Sequence, residues 1–150
     1  MGAMSGSAST EIDAPIDAVW AIVEQIETTP QWQRGVDSME VLERDAEGRA
    51  ARGETVTDAK IKVFTSRLRF DYEPPARVSW TQEKGDLKSL RGSWRLEDLG
   101  DGRTRATYEL EADPGALLTR FLKGALEQKM RAILIEGRPQ ELKARAERAG

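Results

Sequence analysis

The sequence predicts a single α+β domain in which a curved antiparallel sheet of about seven strands wraps around a long C-terminal helix. Three observations predict it. Consecutive segments of alternating apolar and polar residues follow one another from residue 36 to residue 112, separated by tight-turn signals. A short helical pattern precedes them, and a longer one follows from about residue 115 to 135. The single sheet carries one apolar face that needs a cover, and only the last helix is long enough to supply it.

Taken in order, residues 9–13 read as a short strand. Pro15 and Asp17 suit the first turn of a helix, where the amide is unpaired and the dipole favours a carboxylate. Val19, Trp20, Ile22, Val23 and Ile26 continue at helical spacing, and Pro30 ends the run because it disfavours helix in the residue before it. A second short helical turn, 31–35, carries Trp32. Strands are expected at 36–44, 50–58, 60–72, 77–84, 87–99 and 103–112. Their punctuation is Asp45-Ala46-Glu47-Gly48, Pro74-Pro75, Gly85-Asp86 and Asp101-Gly102, all turn chemistry. Consecutive strands joined this way pair antiparallel. The tail after Gly137 and Pro139 turns polar and offers little apolar face.

Strand alternation assigns faces. Phe64, Ser66, Leu68, Phe70 and Tyr72 point one way, and Arg67, Arg69 and Asp71 the other. Thr104, Ala106, Tyr108, Leu110 and Ala112 oppose Arg103, Arg105, Thr107, Glu109 and Glu111. Trp80 and Trp94 fall on the inner side. On the long helix Leu117, Leu118, Phe121, Leu122, Ala125, Leu126, Met130, Ile133 and Leu134 form a broad apolar arc. At about 100° per residue, Lys129 and Glu136 fall within that arc, so each either reaches solvent at the groove mouth as a rim charge or lines a polar part of the interior.

Composition excludes several function classes. The chain has 150 residues, a formal charge of -3, no cysteine and no histidine. Disulfides, thiolate nucleophiles and Ser-His-Asp or Cys-His catalysis are therefore impossible. No basic run suggests nucleic acid, no glycine loop suggests phosphate binding, and no carboxylate spacing suggests a metal. No cofactor is expected. No apolar run reaches the roughly 20 residues of a membrane span, and residues 1–9 lack the features of a signal peptide, so a cytoplasmic location is expected. Residues 1–6 are expected to be a tag remnant or a disordered N-terminus, with Met4 the natural start, and residues 7–150 one domain, monomeric or weakly dimeric.

Ile12-Asp13-Ala14-Pro15 and Asp17-Ala18-Val19-Trp20 open the chain in a recognisable order. The segment from Trp32 through Val36 to Met39-Glu40-Val41-Leu42 follows, and Gly92-Ser93-Trp94-Arg95-Leu96 with Thr107-Tyr108-Glu109-Leu110 forms the last hairpin. Over roughly residues 7–148 the chain resembles the helix-grip fold of the START-like (SRPBCC) superfamily, and within it the bacterial polyketide cyclase/dehydrase and lipid-transport family. The resemblance implies a cavity between sheet and last helix for lipids, sterols, polyketides or quinones, used by some members for cyclisation and by others for carrying or sensing.

Three functions are compatible with these residues. A binding module would line its cavity with Phe64, Leu68, Phe70, Trp80, Trp94, Tyr108, Leu118, Leu122 and Leu126. The same residues also suit a filled core. An aromatase/cyclase-type enzyme acting on a polyketide-like substrate would need proton-transfer groups, for which Tyr108, Tyr72, Lys129 and Glu136 are the candidates. A protein-interaction module with a filled core would use the mixed-charge outer face of Arg91, Arg95, Arg105, Glu97, Glu109 and Glu111. The turn at 31–35 and the Pro74-Pro75 loop are expected at the cavity mouth.

Overall fold

A computed structural model describes residues 4–60, 62–120 and 122–149. Strand β1 (Met4–Ile12) leads into helix α1 (Ile16–Glu24), a 3-10 turn (Ile26–Thr28) and α2 (Thr29–Trp32). Six strands follow: β2 (Val36–Arg44), β3 (Ala50–Asp58), β4 (Val63–Glu73), β5 (Arg77–Gly85), β6 (Ser89–Gly100) and β7 (Arg103–Asp113). The chain ends in α3 (Ala116–Thr119), α4 (Gly124–Arg131), a π turn (Ala132–Glu136) and α5 (Arg138–Ala149).

The seven strands form one antiparallel sheet in the order β1-β7-β6-β5-β4-β3-β2. Register shifts interrupt β2/β3 at Val41/Glu43, β4/β5 at Arg67/Leu68 and β6/β7 at Asp98/Gly100. Each extra residue bends its strand and raises the local twist, which curves the sheet around the terminal helices. The expected alternation holds: Phe64, Ser66, Leu68 and Phe70 are buried on β4, and Thr104, Ala106, Tyr108 and Ala112 on β7. On the outer side exposed ion pairs cross the strands, among them Arg91–Glu111 at 2.8 Å, Arg103–Glu11 at 2.7 Å and Arg105–Glu97 at 3.1 Å.

Two elements differ from expectation. β1 starts at Met4 instead of residue 9, with Met4 opposite Ala112 and Ser7 opposite Glu109. Its Ser, Gly and Ala residues carry little intrinsic strand preference, and pairing along the whole of β7 supplies what local propensity lacks. The tag-remnant expectation for residues 1–3 lies outside the described residues, as do Ile61 and Phe121.

The terminal helix is displaced towards the C-terminus. The run expected at 115–135 is interrupted between α3 and α4, and its helical stretch begins at Gly124. Gly115 at φ 93° and Gly124 at φ 58° hold the left-handed backbone that turns the chain there. The tail expected to have little apolar face is α5, which covers the core. Leu142 is fully buried, and Ala146 and Pro139 are buried with it. The helix is fastened to β1 by Lys143 Nζ donating to Glu11 O at 3.1 Å and Gln140 Nε2 donating to Thr10 Oγ1 at 3.1 Å. Between α4 and α5, Gly137 N donates to Ala132 O at 2.9 Å, the wide turn of a π segment. No helix among the described residues is long and apolar enough to cross a membrane.

Buried apolar residues separate into two clusters. One joins α1, α5 and the β5–β7 region through Val19, Trp20, Val78, Trp94, Leu96, Ala106 and Leu142. The other joins Met4, Phe64, Leu122, Met130 and Ile135.

Candidate functional site

Where the two clusters meet, the inner face of the sheet encloses a cavity of about 140 Å³. A water molecule needs at least ~10–15 Å³ on this measure, so the space far exceeds a packing defect. Phe64, Ser66, Leu68 and Phe70 of β4 form one wall, Trp80 of β5 the next, and Tyr108, Leu110 and Ala112 of β7 another. Leu118 and Leu122 close it from the segment between β7 and α4, joined by Met130 and Leu134.

Seven of the nine expected lining residues are present: Phe64, Leu68, Phe70, Trp80, Tyr108, Leu118 and Leu122. Trp94 and Leu126 are not among those that line it. Trp94 is buried behind the wall, its ring 4.8 Å from that of Tyr108 and 6.2 Å from that of Trp32. Leu126 is half-buried and packs on the second cluster. Gln33 at the end of α2 reaches the cavity, whereas Pro74 and Pro75 do not line it.

The catalytic candidates separate sharply. Lys129 and Glu136 are exposed and do not line the cavity, so of their two expected placements the interior one is corrected. That placement continued the helical phase of Leu118 and Leu122 across the interruption between α3 and α4 and through the π turn, which shifts the phase again. Tyr72 is half-buried outside the cavity, donating to Ala50 O at 2.6 Å with the Arg49 guanidinium 4.6 Å from its ring centroid. Tyr108 lines the cavity between Trp80 and Trp94, with ring centroids at 5.7 and 4.8 Å. Burial pushes its phenol above the ordinary range, with the nearby Arg138 guanidinium working in the opposite direction.

Trp80 can lie flat in the wall because its partner across the β5/β6 ladder is Gly92. A Cβ at Gly92 would come within 2.7 Å of the indole, so any side chain there displaces the ring.

The residue that sequence reasoning missed is Arg138, in the first turn of α5. Only 3% of it is exposed, and it lines the cavity. Its Nη1 donates to Arg34 O at 2.6 Å and to Glu141 Oε1 at 3.0 Å. Glu141 Oε2 in turn accepts from Arg34 N at 2.8 Å, so α5 is tied to the end of α2 through one carboxylate. Arg138 Nε is buried without a hydrogen-bond partner, and so is Oγ1 of Thr29, a second cavity-lining residue. A signal for Arg138 existed: residues 138, 142 and 146 recur every fourth position, one face of a helix. The charge at 138 and the polar residues around that stripe concealed it.

The sequence and the fold have known counterparts. A family model described as polyketide cyclase / dehydrase and lipid transport matches residues 12–136. An uncharacterised protein of Pseudomonas aeruginosa, PA1579, is 24% identical over 128 residues, covering 75% of this chain. The chain spans 62% of that relative's length. Among solved structures, TTHA0849 from Thermus thermophilus superposes with a TM-score of 0.82 at 20% identity, covering 98% of this chain and 99% of that one. The Zhui aromatase/cyclase from Streptomyces sp. R1128 superposes at 0.79 and 17% identity, with 97% and 94% covered. A START superfamily protein from Mycobacterium smegmatis superposes at 0.77 and 18%, with 97% and 99% covered. At these identities the structures establish a shared fold, and the family match over most of the chain establishes the kinship. The chain belongs to the polyketide cyclase / dehydrase and lipid transport family.

Proposed function

We propose that the protein binds a small, largely apolar molecule in the cavity between sheet and C-terminal helices, and carries or senses it. The observation that carries this reading is the cavity itself, walled by aromatic and aliphatic side chains with few polar groups, the usual make-up of a small-molecule site. Binding is favoured over turnover by the ionisable groups in the wall. Among the described residues these are Tyr108, whose phenol is pushed above its ordinary range by burial, and Arg138, whose guanidinium is paired with Glu141. A guanidinium and a phenol are hydrogen-bond donors, and among the described residues no carboxylate or imidazole stands beside them in the wall as a proton acceptor.

Native mass spectrometry of protein purified from its own host tests the reading, paired with titration by the neutral apolar dye N-phenyl-1-naphthylamine. A co-purifying small molecule, or saturable dye binding at one site, is the expected result. An empty protein that also fails to take up the dye overturns it.

A further inference from the structure

We propose that Trp80, seated on Gly92, is the floor that limits the depth of the cavity, so that the buried part of the ligand is a group the size of one six-membered ring. This rests on the binding reading above and adds a size limit to it.

The volume sets the scale. An apolar cavity of about 150 Å³ takes one benzene molecule, whereas pockets for drug-sized ligands run to about 300–1,000 Å³. This cavity has about 140 Å³. One ring fills it, and a larger molecule enters by a ring-sized end with the remainder left at the mouth.

Register and contacts single out Trp80 as the limiting side chain. Phe70, Trp80, Gly92 and Leu110 follow one another across β4, β5, β6 and β7 in a single row. Phe70, Trp80 and Leu110 of that row line the cavity. Gly92 carries no side chain, and the indole lies where one would stand. A Cβ at residue 92 would come 2.7 Å from Cζ2 of Trp80 and 2.8 Å from its Cε2 and Nε1. Tyr108 stands beside the indole, with ring centroids 5.7 Å apart. A side chain at residue 92 therefore lifts the ring off the sheet, on the side where the cavity lies, and a shorter side chain at residue 80 deepens the space. Aromatic rings packed over a strand glycine also stabilise a sheet. That role alone leaves the preferred ligand size unchanged, whereas a floor sets it.

Equilibrium dialysis against toluene, naphthalene and phenanthrene, read by gas chromatography, tests this. Each added ring brings more apolar area, and in a cavity of free depth each would tighten binding on the order of tenfold. With one ring buried, the three are expected to bind the wild-type protein within about threefold of one another. Trp80→Leu is expected to raise the ratio of phenanthrene to toluene affinity about tenfold. Gly92→Ala is expected to weaken toluene about tenfold through overpacking, and Gly92→Ala combined with Trp80→Leu to restore it. Should Trp80→Leu fail to fold, Trp80→Phe reads the same ratio. If affinity for the wild-type protein climbs more than about tenfold from toluene to phenanthrene, the size limit fails and the binding reading stands. The inference also fails if the ratio is unmoved in the Trp80 variant, or if Gly92→Ala leaves toluene binding unchanged. If none of the three binds the wild-type protein, the binding reading falls and takes this one with it.

Discussion

The Arg138–Glu141 pair is where single residues matter most. The guanidinium is only 3% exposed and relies on one carboxylate for its counter-charge. Glu141→Gln keeps a hydrogen-bonding oxygen but removes the counter-charge. Breaking a buried pair costs about 3–5 kcal/mol, and the partial exposure of Glu141 puts this case at the lower end, about 3 kcal/mol. Urea unfolding of the variant measures it, and a loss below about 1 kcal/mol would mean that water screens the pair. Thr29 presents the opposite case. Its hydroxyl has no partner in the free protein, so its removal is not expected to cost a hydrogen bond.

The C-terminal elements reverse the weights that the sequence suggests. Apolar content is highest before α4, yet Leu117 is 70% exposed, whereas Leu142 in the polar-looking tail is fully buried. Leu142→Ala should therefore cost about 2–5 kcal/mol, as expected for a cavity opened in a packed core. Leu117→Ala should stay within about 0.5 kcal/mol, as at most surface positions. Thermal or urea unfolding of both variants reads the difference, and equal effects would show that α5 does not cover the core. The reason for the reversal is geometric. Two left-handed glycines, Gly115 and Gly124, detach the apolar segment from the main helix and leave Leu118 and Leu122 as cavity wall.

The whole molecule can be tested through its two tyrosines, Tyr72 and Tyr108. Burial raises both phenols above their ordinary value, and for Tyr72 the nearby Asp45 carboxylate adds to it. The unfolded chain ionises its tyrosines near pH 10, whereas the folded chain does not. The unfolded state therefore binds fewer protons above that point. Stability is fully present below about pH 10 and falls as pH rises through it. An ultraviolet titration should show almost no tyrosinate while the fold persists, then both tyrosines ionising together as it is lost. A separate native titration near pH 10 would show that water reaches one of the rings. Such behaviour belongs to the whole fold, because Tyr108 is enclosed by neighbours from several strands and from α5.

The sequence by itself determined the sheet. Period-two alternation and turn residues set β2 and β3 at their observed limits and the other hairpin strands within a few residues. They also set which faces of β4 and β7 are buried, because strand periodicity needs no knowledge of partners. Most of the aromatic cavity wall followed from those faces. The tertiary structure alone decided the rest. β1 extends to Met4 because β7 offers it a ladder, a contact about a hundred residues away in the chain. Helical phase survives only while the helix is unbroken, so Lys129 and Glu136 could not be placed from Leu118 and Leu122 across the interruption between α3 and α4. Arg138 reads as a surface charge until Glu141 and the carbonyl of Arg34 are seen around it. A buried charge is identified by its partners, and those are chosen by the fold.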